Sequence, residues 1–354
     1  MLRRGPQPTP ATHVGSDRLD FYERASSEGL APLWGVLHGL VAERPTILTL
    51  PAMWKYERAR PYLIEACSLI STEEAERRVL ILENPGLPGQ SRITPSLFAG
   101  LQIILPGEIA PAHRHVASAL RFIVEGSNAY TAVGGERTAM EEGDFVITPS
   151  WTWHDHGNES DGPVIWLDGL DMHIVNLLSC SFRENYPDRT HPQTRPEGSA
   201  WAEAGNNLLP IDFKAANQTT PIFNYPYRIT RDALAKLSRL RAPDTCHGFK
   251  MRYMNPLTGR SAMPTMTTAM QLLPKGFVTQ AYRSTAGAVF SVVEGEGVAT
   301  IDGQRFVWGA RDHFVVPSWC PLVLEATSEA VLFSFSDQVV QEALDLFKED
   351  RGRE

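Results

Sequence analysis

Histidine carries the clearest chemical signal in this chain. His113 and His115 stand two apart in the run APAHRH, and His154 follows in SWTWHDHGN. Residues two apart on a strand leave the same face, so both rings of the pair reach one side. His154, coming from a separate strand, completes a facial set of three imidazoles. Such a set suits a borderline divalent metal such as iron, manganese, nickel or zinc, and leaves positions open for substrate. An isolated HxH pair is common and need bind nothing, but this one is framed by regular punctuation. Gly107 precedes His113 by five intervening residues and Gly126 closes the segment; Gly143 is followed after five residues by Pro149, then by His154, with Asn158 four positions later.

The elements that must position these rings read as β. ALRFIVEG, NAYTAV, DFVITPS, VIWLDGL, VFSVVEG, GVATIDG, DHFVVPSW and AVLFSF are short apolar or alternating runs separated by Gly, Asp, Asn and Pro, the pattern of sandwiches and barrels. An internal repeat organises them. Glu125 and Gly126 recur as Glu294 and Gly295 at an offset of 169. Gly135, Arg137 and Asp144 recur as Gly303, Arg305 and Asp312, and Pro149, Ser150 and Trp151 as Pro317, Ser318 and Trp319, all at 168. Independent coincidences would not share a register, so the chain contains two copies of one β domain. Carried into the second copy, the positions of His113, His115 and His154 hold Tyr282, Ser284 and Leu322. No ligand survives there, and His313 stands alone as a structural or surface residue.

Helices are expected only at the flanks. Leu30, Leu33, Leu37 and Leu40, with Trp34 and Val41, fall at helical spacing between Pro32 and Pro45, and Ser336 can cap a C-terminal segment carrying Val340, Leu344 and Phe347. The polar, proline-rich run 183–199 reads as a boundary or long surface connection. The expected organisation is an N-terminal tail and helical segment over 1–75, a barrel over 76–182, a connecting segment over 183–245, a second barrel over 246–335 and a C-terminal helix over 336–354.

These glycine, proline and histidine spacings resemble the two sequence motifs of the cupin superfamily. That resemblance implies a mainly β bicupin, two antiparallel jelly-roll barrels with a few flanking helices and the metal inside the first. Two departures stand out. Cupins often add a Glu ligand, which would fall at Ala119, and a Gly usual in the second motif is replaced by Trp151. Three neutral ligands leave a divalent ion its full charge, favouring a chelating anion.

The runs RRVLILENPGLPGQSRITPSL, LPGEIAPAHRHVASALRFIVEG, GDFVITPSWTWHDHGN and VIWLDGLD narrow the resemblance to the gentisate 1,2-dioxygenase family, ring-cleaving bicupins related to salicylate and 1-hydroxy-2-naphthoate dioxygenases. The resemblance runs from about Pro32 to the C-terminal helix. It implies Fe(II) held by His113, His115 and His154, with O2 as co-substrate and a small aromatic carboxylate as substrate. It also implies a homotetramer. Gentisate would be opened between the carboxyl-bearing carbon and the adjacent hydroxylated carbon, giving maleylpyruvate; salicylate or 1-hydroxy-2-naphthoate are the alternative substrates, and a non-catalytic ligand-binding bicupin is the rival outside enzymes.

Arg121 lies two positions from Ala119 and shares its inward face if the strand is regular. A guanidinium in a barrel interior needs an anion, which is either the substrate carboxylate or a neighbouring acid such as Asp168. His156, two beyond His154, is expected in the same cavity to hydrogen-bond oxygen or a substrate hydroxyl. Asp168 matches a family position near the substrate, where it would orient His156 or take a proton from the 5-hydroxyl; Asp171 reads as a turn residue. Gln102 and Arg78 are carried over as substrate-binding candidates, and Trp151, Trp153 and Phe98 as cavity walls or core.

Composition narrows the partners. The 354 residues are 43% hydrophobic and 21% charged, with a net charge of −8, which disfavours a general electrostatic grip on nucleic acid or anionic lipid. The polar, proline-containing start of the chain is not a secretion signal, and no apolar stretch of about 18 residues suggests a membrane span. Cys67, Cys180, Cys246 and Cys320 form no CxxC pair. A cytoplasmic protein acting on a small molecule is expected.

Overall fold

A computed structural model of the chain describes residues 15–215 and 217–352, and the chain divides into two compact units, Met1–Thr46 and Ile47–Glu354. In the first, helix Ser16–Ser27 is followed by a short 3-10 turn at Leu33–Gly35 and one helical turn at Leu37–Leu40. Phe21 and Trp34 stack with ring centroids 6.5 Å apart, and the Trp34 indole donates to the Tyr22 hydroxyl. The single amphipathic helix expected across 30–41 is therefore broken at Val36, just after Gly35, whose low helix propensity disfavours continuation.

The second unit holds both barrels. Each of the eight runs expected to be strands contains or overlaps one: Ala119–Glu125, Ala129–Val133, Phe145–Thr148, Val164–Leu170, Ala288–Glu294, Gly297–Ile301, His313–Val316 and Ala330–Ser336. The N-terminal barrel closes one six-stranded sheet, with Ala119–Glu125 between Phe145–Thr148 and Val164–Leu170, against a five-stranded sheet in which His154–Asn158 lies between Ile109–His115 and Ala129–Val133. The C-terminal barrel repeats the scheme with a six-stranded and a three-stranded sheet. The two six-stranded sheets pack back to back around Phe122 and Phe333, whose rings stack at 4.3 Å with planes 5° apart, burying Phe145, Tyr253 and Phe335 between the barrels.

The repeat extends to the hydrogen bonding. His113 pairs with His154 across strands, and Tyr282 pairs with Leu322 at the matching register. The Trp151 N–H donates to the His115 carbonyl and the Trp319 N–H to the Ser284 carbonyl. Trp151 and Trp319 have φ of +57° and +60°, the left-handed region that favours glycine, which explains why glycine is usual at this point of the motif. Here the strained tryptophan is kept in both copies.

The repeat also reaches further than the motifs suggest. Strand Ala52–Trp54 joins the C-terminal barrel beside His313–Val316, and Asn224–Tyr225 joins the N-terminal barrel beside Phe145–Thr148. Each runs into a 14-residue helix, Tyr56–Leu69 or Tyr227–Leu240. The Tyr56 N–H donates to Asp312 while its hydroxyl donates to Glu125; the Tyr227 N–H donates to Asp144 while its hydroxyl donates to Glu294. Arg60 and Arg231 pair with the same two glutamates. Each arm thus fastens one barrel to the other, and the recurring Glu125/Glu294 and Asp144/Asp312 are its anchors. From Ile47 onward the chain belongs to the compact unit that holds both barrels.

The C-terminal helix is Gln338–Ala343, with Asp337 rather than Ser336 at its N-cap, and Leu344 is exposed. Arg183–Asn185 in the connecting run forms a strand on Ile109–His115. The four cysteines are free. Among the described residues no helix is long and apolar enough to cross a membrane.

Candidate metal centre and substrate pocket

Antiparallel pairing of Ile109–His115 with His154–Asn158 sets His113 opposite His154, and the HxH spacing puts His115 on the same face. The rings converge, with centroids 4.5 Å apart for His113 and His154, 4.9 Å for His115 and His154, and 5.2 Å for His113 and His115. One ring nitrogen from each lies within 4.8 Å of the others. Nδ1 of His115 is 2.6 Å from the Ala117 carbonyl and Nδ1 of His154 is 2.9 Å from the Thr152 carbonyl. Carbonyl partners fix the tautomer that leaves Nε2 for a metal, and His154 Nε2 is buried without a partner. Burial, reinforced by neighbouring cations, pushes His113 down to about 2 and His115 to about 4, and holds His154 well below the usual range. The three imidazoles are neutral and ready to ligate. The donor set fits a divalent metal.

Across the barrel, Ala119–Glu125 and Val164–Leu170 place Arg121 directly opposite Asp168. Arg121 is fully inside; its Nη1 donates to Thr148 Oγ1 at 2.5 Å, its Nε has no hydrogen-bond partner, and Asp168 Oδ1 lies 3.7 Å away. The acid expected as a possible neighbour is therefore present, but at ion-pair distance and without a hydrogen bond. Asp168 Oδ1 instead accepts from the Trp166 indole at 3.0 Å. Burial raises the Asp168 carboxyl to about 6 against the opposing pull of Arg121. Gln102 pairs with Trp166 and so shares the inward face of Asp168; Phe98, two positions from Gly100 on the same strand, lies on that face too.

His156 is buried two positions from His154, with ring centroids 5.8 Å apart. Thr131 Oγ1 holds its Nδ1 at 2.9 Å, and Nε2 has no partner. Asp171, expected as a turn residue, stands at the N-cap position of helix Met172–Leu177 without a side-chain cap bond, and its carboxylate instead accepts from the Ser118 N–H and the Thr265 hydroxyl.

Several placements differ from expectation. Arg78 points away from the histidines, to Glu108, with Cys67 as its other polar neighbour. It is Arg77 that reaches the metal set, donating to the Pro111 carbonyl at 2.8 Å and lying 3.4 Å from His113 Nδ1. Sequence could not separate adjacent arginines at the start of a strand, because one residue of register reverses the face. Trp151 and Trp153 do not wall the cavity. They sandwich Arg114, at 4.5 and 4.6 Å from its guanidinium carbon, on the side of the strand opposite to His113 and His115. Of the two expectations for His313, structural or surface, the first fits: it is fully buried on the strand that receives Ala52–Trp54.

Residues 100–170, which carry all three histidines, match the family model for the cupin domain. Over 339 residues the chain is 54% identical to gentisate 1,2 dioxygenase 1 of Aquipseudomonas alcaligenes, covering 96% of this chain and 98% of the relative. The chain belongs to the gentisate 1,2-dioxygenase family. Another gentisate 1,2-dioxygenase, from a Streptomyces species, is 37% identical over 94% of this chain and 95% of its own length. The solved salicylate 1,2-dioxygenase of Pseudaminobacter salicylatoxidans superposes with a TM-score of 0.90 at 32% identity, covering 98% of this chain and 100% of that one. A structure of the same enzyme described as its adducts with gentisate superposes equally, at 0.90. Membership of this family makes the protein a ring-cleaving dioxygenase built on a three-histidine metal centre.

Proposed function

We propose that the protein is an Fe(II)-dependent gentisate 1,2-dioxygenase, acting in aromatic catabolism to convert gentisate and O2 to maleylpyruvate. The full-length identity to a gentisate 1,2-dioxygenase carries this reading, and the convergent His113, His115 and His154 support it. Held by these three rings, iron supplies a redox-active Lewis acid with open positions.

The protein's own residues bind and orient. Arg121, buried and only loosely paired with Asp168, takes the substrate carboxylate as a charge-assisted partner. Arg77 adds a second positive charge close to His113. His156 presents Nε2 to a substrate hydroxyl, while Thr131 fixes the ring through Nδ1. Asp168, its carboxyl raised to about 6, is poised to take a proton from the ring 5-hydroxyl at neutral pH. Gln102 lines the same inward face and contributes polar contact. Exclusion of water by the apolar strands strengthens each of these interactions.

The test is oxygen uptake together with ring-opened product after Fe(II) reconstitution under anaerobic conditions, with gentisate, salicylate and 1-hydroxy-2-naphthoate supplied in parallel. Uptake greatest with gentisate is expected; uptake with none of the three would overturn the proposal. A homotetramer in the cytoplasm completes the reading, and analytical ultracentrifugation of the purified chain tests the assembly.

A further inference from the structure

The C-terminal barrel lost the ligand set but kept its interior. A cavity of about 420 Å³ occupies it, reached by Lys250, Gln271, Tyr282, Ser284, Phe290 and Leu322. This volume is in the range of small-molecule sites. It lies where the metal set lies in the other barrel, since Tyr282 and Leu322 form the bridge that His113 and His154 form there.

We infer that this cavity is a second, non-catalytic binding site for a small organic monocarboxylate, held by the Lys250 ammonium and the Gln271 amide. Lys250, on strand Phe249–Arg252, pairs with Gln271 on Thr267–Leu273, so both side chains leave the same face, into the barrel. No acid lies within ion-pair distance of Lys250 among the described residues; the Phe290 ring lies 5.9 Å from its Nζ. The acid on the cavity wall, Glu349, is engaged by the Tyr282 hydroxyl at 2.9 Å. Of the other cations, Arg283 pairs with Asp350 at 2.6 Å, and Arg252 is exposed to solvent and donates to the Gly259 carbonyl. His247 is kept neutral by burial, which pushes it down to about 3. Lys250 is half-buried, and partial burial of an ammonium without a counter-charge pulls it down to about 8. Gln271 is 1% exposed and its Nε2 has no partner. An unpaired ammonium and an unsatisfied amide N–H on neighbouring strands therefore face one space, and a carboxylate accepts from both. Apolar side chains, Phe290, Val316, Leu322 and Leu324, share the wall with the hydroxyls of Thr267, Ser334 and Ser336. The apolar part of the wall gives an organic acid contacts that an inorganic anion cannot make.

Equilibrium dialysis of the full-length metal-free chain tests this, with salicylate as the aromatic probe and hexanoate as the aliphatic one. One binding equivalent is expected that Lys250→Met and Gln271→Leu each weaken at least tenfold and that Arg121→Met leaves in place. The probe that binds identifies the acid class. The metal-reconstituted Lys250→Met enzyme keeps its metal content and kcat, and circular dichroism verifies its fold. The inference is overturned if neither acid binds, or if both C-barrel variants bind as the wild type does. It is also overturned if the bound equivalent disappears in Arg121→Met alone. Loss of ring cleavage in the dioxygenase assay with a persistent Lys250-dependent equivalent would count against the catalytic reading and leave this one standing.

Discussion

The two barrels share a six-stranded sheet and the register of their motifs, and differ in their interiors. In the first, the bridge between neighbouring strands is His113 to His154; in the second it is Tyr282 to Leu322. In the first, the cation across the barrel is Arg121 and an acid, Asp168, stands opposite it. In the second, Lys250 has no acid partner among the described residues. Yet both keep the left-handed tryptophan and the aspartate that receives an arm from the other half. Residues that hold the fold are thus duplicated, whereas residues that line the cavity diverge, because the backbone frame tolerates many side-chain sets pointing inward.

The comparison can be broken most sharply at the ligands. His154→Ala leaves two imidazoles, and the purified chain is expected to retain no iron by elemental analysis and to show no ring cleavage; retained iron with activity would refute the ligand set. The converse experiment builds the first interior into the second. Tyr282→His, Ser284→His and Leu322→His together place imidazoles at the register of the natural set, and metal content is expected to rise from one to two equivalents per chain. Should it stay at one, side-chain packing rather than register decides metal binding.

Arg121→Ala tests the charge at the back of the catalytic cavity. Loss of one charge-assisted contact costs about 1.5–3 kcal/mol, so KM for gentisate is expected to rise roughly ten- to hundredfold, with metal content unchanged. An unchanged KM would return Arg121 to a purely structural pairing with Asp168.

The smallest effects concern the arms. Glu125 is the more enclosed anchor, at 14% side-chain exposure against 38% for Glu294. Glu125→Gln is expected to lower stability by about 1–3 kcal/mol, and Glu294→Gln by under about 1 kcal/mol, measured by denaturant unfolding. Burial raises the Glu125 carboxyl, but hydrogen bonds from Arg60 and Tyr56 outweigh it and leave the group below its ordinary value of 4.5. Its contribution is therefore present above pH 4.5 and lost as pH falls through the depressed value. The Glu125→Gln variant should show a smaller loss of stability on acidification than the wild type; equal slopes would show that the arm is held by packing alone.

Much of this was legible in the chain. Alternating runs located eight strands, and the 168 to 169 offset located the repeat, because turn glycines and buried alternation are local properties. The metal set was legible because a period of two is rigid on a strand. Arg77 was not, since adjacent arginines differ only in face. Nor were the tryptophans, whose hydrophobicity suits a cavity wall and an outer clamp on Arg114 equally well. The amphipathic helix at 30–41 broke after Gly35 in spite of its leucine pattern.

Residue identity and spacing alone were enough for the strand period, the duplication and which copy keeps three histidines. Which barrel each arm joins, which arginine enters the pocket and whether the ligand-free barrel stays hollow were left to the folded chain. The arm anchors join residues more than 60 and up to 257 positions apart, and the pocket is likewise assembled from distant strands. There, side-chain direction and burial, rather than local propensity, set the free energy.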